Sequence, residues 1–178
     1  MTLSRLDEVL RTAAGCGRGV GAFNVIQIEH AEALVAAAET TGLPVVLQIS
    51  ENAVRYHGAL APIALATKSI AERATVPCVL HLDHAVSESL VDEAVALGFT
   101  SVMFDASRLD DAANRELTRA VVQRCHAAGV SVEAELGEIG GRTACTRPAC
   151  APTRPRPRRS SRTPVSTRSP WRWGPRTR

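Results

Sequence analysis

Apolar and polar positions repeat in two alternating patterns along the first part of the chain. Short runs rich in β-branched residues predict strands at 19–25, 44–50, 77–83, 100–106 and 130–136. Between them, apolar residues at helical spacing predict helices at 28–41, roughly 61–74, 87–97 and 110–128. The predicted strands are largely apolar on both faces, which is typical of parallel strands covered by helices. The alternation therefore predicts an α/β fold.

Local residues support these boundaries but leave the architecture open. Gly42 and Gly98 follow predicted helices, and Ser87 and Asp110 stand where N-caps are expected. Both a (β/α)8 barrel and a doubly wound sheet fit five such units. No glycine-rich phosphate-binding motif follows a predicted strand, which disfavours nucleotide binding. In either architecture, chemistry is expected at the carboxyl ends of the strands.

The charge divides the chain into two unlike parts. Residues 1–141 hold all 18 acidic residues and 10 of the 21 basic ones, so their net charge is −8. Residues 142–178 hold 11 arginines and no acidic residue. The first part therefore has the composition of an ordinary soluble domain that can bury one core.

The cysteines and the N-terminus indicate a cytoplasmic protein. Cys78 and Cys125 lie in apolar patterns without paired spacing, so we expect buried, reduced thiols. Charged residues interrupt the N-terminus, and no apolar run is long enough for a membrane span. We therefore expect no signal peptide and no membrane association.

Polar residues collect at the predicted carboxyl ends of the strands, at Asn24, Ser50, His81, Asp83, His84, Asp105, Glu133 and Glu135. The densest group is the segment HLDH at residues 81–84, where residues 81 and 83 share one face of the strand and His84 lies at the strand–loop junction. An imidazole beside a carboxylate there could bind a divalent metal next to an acid/base group. Alternatively, a histidine caps the strand, Asp83 caps the next helix, and the other carboxylates accept loop N–H groups. His30, His57 and His126 are interpreted as surface or packing residues.

Five of these segments together resemble one enzyme family. The segments GAFNV, VVLQIS, VLHLDHA, SVMFDAS and VEAELGEIGG, in this order and spacing, resemble the class II metal-dependent ketose-bisphosphate aldolases over residues 1–141. The fructose/tagatose-bisphosphate branch is the most similar. The resemblance implies a (β/α)8 TIM barrel, a homo-oligomer and an enzyme of carbohydrate metabolism such as glycolysis. It implies cleavage of fructose or tagatose 1,6-bisphosphate to dihydroxyacetone phosphate and an aldehyde, through a zinc-stabilised enediolate.

The resemblance also implies roles for the charged residues at the strand ends. His84 matches a zinc-ligand histidine of the family, and Asp83 matches the acid/base that handles the hydroxyl proton. Asp105 and Glu135 match second or alternate metal positions, which leaves room for a second divalent or monovalent cation beside Zn2+. A zinc ion would stabilise the negative charge without a Schiff-base lysine.

The remaining candidates are implied to serve the substrate or to support the metal ligands. Asn24 and Ser50 match positions that contact the phosphorylated sugar. His81 and Glu133 are candidates for residues that orient the metal ligands without binding the metal themselves. The only lysine, Lys68, lies within a predicted helix, so a lysine-imine mechanism has no good candidate.

The family pattern stops after Gly141. The family continues with an acidic mobile loop and later strands that supply two further zinc histidines, whereas residues 142–178 are rich in arginine and proline. We therefore expect a barrel truncated after about five strands at residues 1–141, followed by a non-native, disordered tail at 142–178. A chain of this kind is expected to be inactive as it stands.

The genetic code suggests an origin for the tail. If the reading frame slipped by one base, residues 143–153 are compatible with DGVHAPGVRTD, and residues 163–177 with DTGVDALAVAVGTSH, which are aldolase-like continuations. A frameshift is therefore the preferred hypothesis. Two alternatives are an α/β module whose arginine-rich arm binds nucleic acid or other polyanions, and a structural remnant without activity. Nonspecific polyanion binding is expected in any case from the charge.

Overall fold

The computed structural model of the chain describes residues 3–135 and residue 137. In chain order, the elements of this part are α1 (Leu6–Gly15), β1 (Gly21–Asn24), α2 (Ile28–Thr41), β2 (Val45–Ser50), α3 (Glu51–His57), α4 (Ala61–Arg73), β3 (Cys78–Ala85), α5 (Glu88–Leu97), β4 (Ser101–Phe104), α6 (Asp111–Ala127) and β5 (Ser131–Ala134). The tail predicted at residues 142–178 lies outside the described residues.

The strands and helices predicted from the sequence are confirmed, with bounds that differ by at most two residues at either end. The N-caps are confirmed as well: Ser87 Oγ accepts from the backbone N–H of Leu90, and Asp110 Oδ1 accepts from two N–H groups of the first turn of α6. Gly42 and Gly98 end α2 and α5 in the left-handed conformation, at φ 66° and 90°. None of the helices within residues 3–135 has the length and apolar character needed to span a membrane.

Two helices were not predicted. The short helix α3 begins at the residue that follows β2, so no loop composition separates the strand from the helix. Ser50 ends the strand and also caps the helix, since its Oγ accepts from the N–H of Ala53. The first helix, α1, precedes the first strand and therefore falls outside the strand–helix alternation.

The strands form one parallel sheet in the order β1-β2-β3-β4-β5. Each strand pairs with the next strand along the chain. A doubly wound sheet reverses its strand order at a switch point, whereas a (β/α)8 barrel adds its strands in sequence. The observed order is the order of a barrel, so it decides between the two architectures that the pattern left open.

One face of the sheet packs against the helices. Its residues alternate along the strands and form a single buried apolar core with α2, α4, α5 and α6, with sheet members including Leu47, Ile49, Leu80, Leu82, Val102 and Phe104. Cys78 and Cys125 are buried, free thiols in this core, as predicted. Burial raises the pKa of the Cys78 thiol to about 11.

The opposite face, called the inner face here, carries Val46, Val79, His81 and Ser101. Near the amino ends of the strands, Val46 and Val79 pack against Leu6 of α1 and its neighbour Val9. The helix α1 therefore covers the amino end of the inner face with apolar side chains. The carboxyl end of the inner face carries polar residues instead.

Candidate active site at the carboxyl ends of the strands

The inner face becomes polar toward the carboxyl ends of the strands. The register places Gln48 beside His81 and His81 beside Ser101, in a row across β2, β3 and β4. One step further along, Ser50 pairs with Asp83. Since most of this sheet is apolar and buried, such a polar edge indicates a site for chemistry.

Three side chains with metal-ligating groups meet at this edge. Nδ1 of His84 lies 3.1 Å from Oδ2 of Asp105 and 3.4 Å from Oε2 of Glu135. One ligand atom from each residue lies within 4.8 Å of the other two. The three residues lie at the carboxyl ends of β3, β4 and β5. The parallel sheet, rather than proximity in sequence, brings them together.

The backbone of β3 is irregular where it enters this cluster. The register with β4 shifts between Leu82 and Ala85, so Asp83 and His84 form a bulge. His84 has φ 50°, a left-handed conformation that is uncommon for residues other than glycine. In a regular strand, adjacent side chains point to opposite faces. The bulge instead brings Oδ1 of Asp83 to 3.9 Å from Nε2 of His84. His84 is thus the penultimate residue of β3, one residue inside the end of the strand, where the sequence predicts the strand–loop junction.

Asp105 is buried and stays ionised because its neighbours donate to it. Burial alone would raise its pKa, but hydrogen bonds from the hydroxyl and N–H of Ser107 and from His84 hold the pKa below its ordinary value. Ser107 donates to Oδ1 of Asp105 at 2.5 Å from Oγ and at 3.1 Å from the backbone N. Oδ2 is left to face His84. The carboxylate therefore carries its charge toward the cluster.

Glu135 presents a carboxylate oxygen that suits a cation. Its Oε2 is buried and accepts no hydrogen bond from the described residues. A buried carboxylate oxygen without such a bond is costly unless a positive charge compensates it. One imidazole and two carboxylates form a donor set that fits a divalent ion such as zinc. The residues present therefore fit a metal.

Glu133 lies near the same cluster. The residue as a whole is exposed, but desolvation of its carboxyl group raises the pKa, and the charge of Asp83 raises it further, against a smaller opposite effect of His84. Two carboxylates in such a pair titrate apart, and the one with the raised pKa holds a proton more readily.

The other predicted site residues lie outside the three-residue cluster. Asn24 ends β1, pairs in register with Gln48 and is exposed. Ser50 uses its hydroxyl oxygen as the cap of α3. His81 is buried with Nδ1 2.9 Å from Oγ of Ser101, and burial lowers its pKa to about 4, so the ring is neutral near pH 7. His81 precedes Asp83 by two residues in β3, so both lie on the same face of the sheet.

The sequence interpretation missed two residues that hold the carboxylates in place. Ser107 follows Asp105 by two positions, a spacing at which a serine commonly bonds an aspartate in a turn. Asn114 of α6 is buried and donates from Nδ2 to the backbone oxygen of Glu135 at 3.0 Å. No pattern in the sequence indicates this contact, since an asparagine within a helix usually faces solvent.

The helix α3, which follows β2, contacts the loops that follow the two neighbouring strands, β1 and β3. Oε2 of Glu51, at its first position, accepts from the N–H of Val86 at 2.6 Å. At its last position, Nε2 of His57 lies 2.6 Å from the carbonyl oxygen of Ile26, to which it donates. Nδ1 of His30 accepts from the N–H of the same Ile26 at 3.3 Å. His30 and His57 are exposed, as predicted, but they also hold the loop that follows β1.

Lys68 lies far from this edge. It belongs to α4, and its Nζ donates to the carbonyl oxygen of Leu97 at 3.2 Å. Leu97 ends α5 just before β4 begins, at the amino edge of the sheet. This position agrees with the expectation that the only lysine of the sequence does not serve as an imine-forming group.

A parallel sheet built in sequential order, with a histidine–carboxylate cluster at its carboxyl edge, is typical of α/β-barrel enzymes that use a metal. Comparison of the sequence with known protein families identifies the family. The family described as "Fructose-bisphosphate aldolase class-II" matches residues 4–158. This match extends beyond Gly141, the residue after which the sequence analysis predicts that the family pattern stops. The chain belongs to the class II fructose-bisphosphate aldolase family.

Individual relatives agree. The fructose-bisphosphate aldolase of Thermus caldophilus is 46% identical over 135 residues, which cover 75% of this chain and 43% of that protein. That of Geobacillus stearothermophilus is 43% identical over 143 residues, covering 79% and 50%.

Solved structures show the same fold. The YdjI aldolase from Escherichia coli K12 matches with a TM-score of 0.72 at 30% identity, covering 76% of this chain and 52% of that one. The fructose-bisphosphate aldolase from Campylobacter jejuni matches with a TM-score of 0.66 at 26% identity, covering 78% and 47%. The chain spans about half the length of the curated relatives it matches.

Proposed function

We propose that this chain carries active-site residues of a class II aldolase that cleaves a ketose 1,6-bisphosphate into dihydroxyacetone phosphate and an aldehyde. One observation carries the proposal: His84, Asp105 and Glu135 converge at the carboxyl edge of the sheet, with Asp83 beside them. The relatives are named for fructose bisphosphate. Tagatose bisphosphate is the alternative substrate.

The proposed metal is zinc, held by His84 with Asp105 and Glu135 as second or alternate ligands. When bound, it supplies a Lewis acid that stabilises the negative charge left on the dihydroxyacetone half after C–C cleavage. Oε2 of Glu135, which accepts no hydrogen bond from the residues that the structure describes, supports this assignment. A further cation, divalent or monovalent, fits the same carboxylates.

Asp83 is the proposed acid/base. The bond between C3 and C4 breaks, C4 becomes the aldehyde carbon, and the electron pair of the bond stays with C3, which then takes up a proton to give dihydroxyacetone phosphate. Asp83 takes the proton that leaves the C4 hydroxyl and returns it in the reverse reaction. Its carboxylate lies 3.9 Å from the ring of His84, and Glu133, with its raised pKa, can hold a proton nearby. Asn24 and Ser50 are proposed to contact the sugar. His81, two residues before Asp83 on the same face of β3, is proposed to help position Asp83.

The chain by itself is proposed to have little or no activity. Its five histidines lie at residues 30, 57, 81, 84 and 126, so residues 142–178 supply no further zinc ligand of this type. We infer that those residues result from a frameshift, that they form a separate tail after residue 141, and that the parent enzyme is a cytoplasmic homo-oligomer. The nucleotide sequence around codon 142, translated in all three frames, tests the frameshift directly.

The central experiment measures zinc binding and cleavage separately. We expect the pure chain to bind zinc weakly, and His84→Ala to weaken that binding, whereas the exposed control His126→Ala leaves it unchanged. Robust zinc-dependent cleavage of fructose or tagatose bisphosphate by the chain would contradict the proposed inactivity. With the reading frame restored, activity is expected, and Asp83→Ala should abolish turnover while zinc stays bound. Retained turnover in that variant would remove Asp83 from its role.

A second candidate function rests on the charge of residues 142–178, which hold 11 arginines and no acidic residue. Such a segment binds polyanions, including nucleic acid, through counterion release. The binding is expected to be nonspecific in sequence and to fall steeply with salt. A strong preference for one nucleic-acid sequence would instead favour a selected binding arm.

A further inference from the structure

Glu51 links the helix α3 to the turn that follows β3. Its Oε2 accepts from the N–H of Val86 at 2.6 Å, and its Oε1 forms an ion pair with Nη2 of Arg55 one helical turn later. Both carboxylate oxygens are therefore engaged. The side chain of Glu51 is only 13% exposed. The contact joins residues 35 positions apart in sequence.

The turn that Glu51 holds begins directly after the candidate metal ligand. Val86 follows β3 and stands two residues after His84, whose φ of 50° is strained for a histidine. A strained conformation persists only where the surrounding contacts determine it. From the side of β4, the N–H of Asp105 donates to the carbonyl oxygen of Ala85 at 2.8 Å. From the side of α3, Glu51 accepts from the N–H of the next residue, Val86. The two residues that follow the bulge are thus held from β4 on one side and from α3 on the other.

We propose that Glu51 is a positioning residue for the metal centre. Its hydrogen bond to Val86 keeps the Asp83–His84 bulge in place, so that the ring of His84 stays beside Asp105 and Glu135. This inference rests on the proposed metal site. Without the hydrogen bond, the turn relaxes, His84 leaves the left-handed conformation, and the donor atoms spread apart. Metal affinity then falls, although Glu51 itself touches no metal.

Two substitutions separate this role from a purely electrostatic one. Glu51→Gln keeps the length of the side chain and an acceptor oxygen for Val86 but removes the charge. Glu51→Asp keeps the charge at the start of the helix but is shorter by one methylene and cannot reach Val86. Glu88 provides a matched control because it is also the first residue of a helix and also pairs with an arginine, Arg124, at 2.7 Å.

The experiment titrates the full chain with Co2+ and follows the visible absorption bands of the bound ion. We expect Glu51→Asp to raise the dissociation constant about tenfold and to alter the bands, as is typical for residues that orient metal ligands. Glu51→Gln is expected to stay within about threefold of the original chain. Glu88→Asp and Glu88→Gln should change neither affinity nor bands.

Three results would overturn the proposal. The first is unchanged Co2+ affinity in Glu51→Asp. The second is a lower Co2+ affinity in Glu51→Gln than in Glu51→Asp, which would show that only the charge of Glu51 matters. The third is an equal loss in the Glu51 and Glu88 variants, which would indicate general destabilisation.

A second measurement keeps the inference separate from the metal proposal. Amide hydrogen exchange of Val86 should accelerate about tenfold in Glu51→Asp and stay unchanged in Glu88→Asp. If the original chain binds no Co2+, the proposed metal site fails. The exchange rates then decide the role of Glu51 in holding the turn, and equal rates in both variants would refute it.

Discussion

The buried histidine of the inner face, His81, is expected to make the stability of the chain depend on pH. His81 is 3% exposed, and burial lowers its pKa from 6.5 to about 4. The unfolded chain therefore binds a proton at this residue from about pH 6.5 downward, whereas the folded chain binds it only near pH 4. Stability is fully present above pH 6.5 and is lost as the pH falls toward 4.

The size of this loss of stability follows from how far the pKa of His81 is lowered. Lowering the pKa of His81 from 6.5 to about 4 corresponds to about 3 kcal/mol of stability, because each tenfold change in proton affinity is worth about 1.4 kcal/mol. Most of this loss occurs before the folded-state pKa is reached. Between pH 7.5 and pH 5, His81 alone is expected to reduce the free energy of unfolding by about 2 kcal/mol.

The assay compares the chain with His81→Asn by urea unfolding, followed by far-ultraviolet circular dichroism in the presence of a chelator. The asparagine amide can keep the hydrogen bond that Nδ1 shares with Ser101, but it does not titrate in this range. Other groups, including Asp105 with its lowered pKa, titrate in both proteins and cancel in the difference. The difference in free energy between the two proteins should therefore change by about 2 kcal/mol between pH 7.5 and pH 5. Parallel pH profiles would refute the assignment of His81 as a buried neutral group.

Three further predictions concern residues that support the site and the tail. Ser107→Ala removes one hydrogen bond to Asp105 and should raise the pKa of that carboxyl toward its ordinary value, measured by carbon NMR titration; an unchanged pKa would contradict the assigned cause. Asn114→Ala should lower the free energy of unfolding by about 1–3 kcal/mol, because it leaves the carbonyl of Glu135 without its buried donor; unfolding that matches the original chain in urea would show that water replaces the amide. Heparin or DNA binding by the full chain should fall with salt and disappear when residues 142–178 are removed, and retention by residues 1–141 would place the binding elsewhere.

Much of the fold was readable from the sequence because its signals are local. The strands and the helix caps at Ser87 and Asp110 depend on residues within a few positions of each other, and the structure confirms them. The polar residues that end apolar strands were also readable, since parallel strands bring their carboxyl ends to one edge. His84, Asp105 and Glu135 are among the eight polar residues that this pattern singles out, and the resemblance to the aldolase family implies metal-binding roles for these three.

The tertiary structure alone decided how these candidates are arranged. Strand order separates a barrel from a doubly wound sheet, and it depends on which strands pair rather than on where strands occur. The bulge at His84 arises from the register between β3 and β4, which no local pattern specifies. The contact of Glu51 with Val86 and that of Asn114 with the backbone of Glu135 join residues far apart in sequence. Hydrogen bonds of this kind depend on positions in space, so composition and periodicity determine which residues can form the site, and packing determines which of them meet.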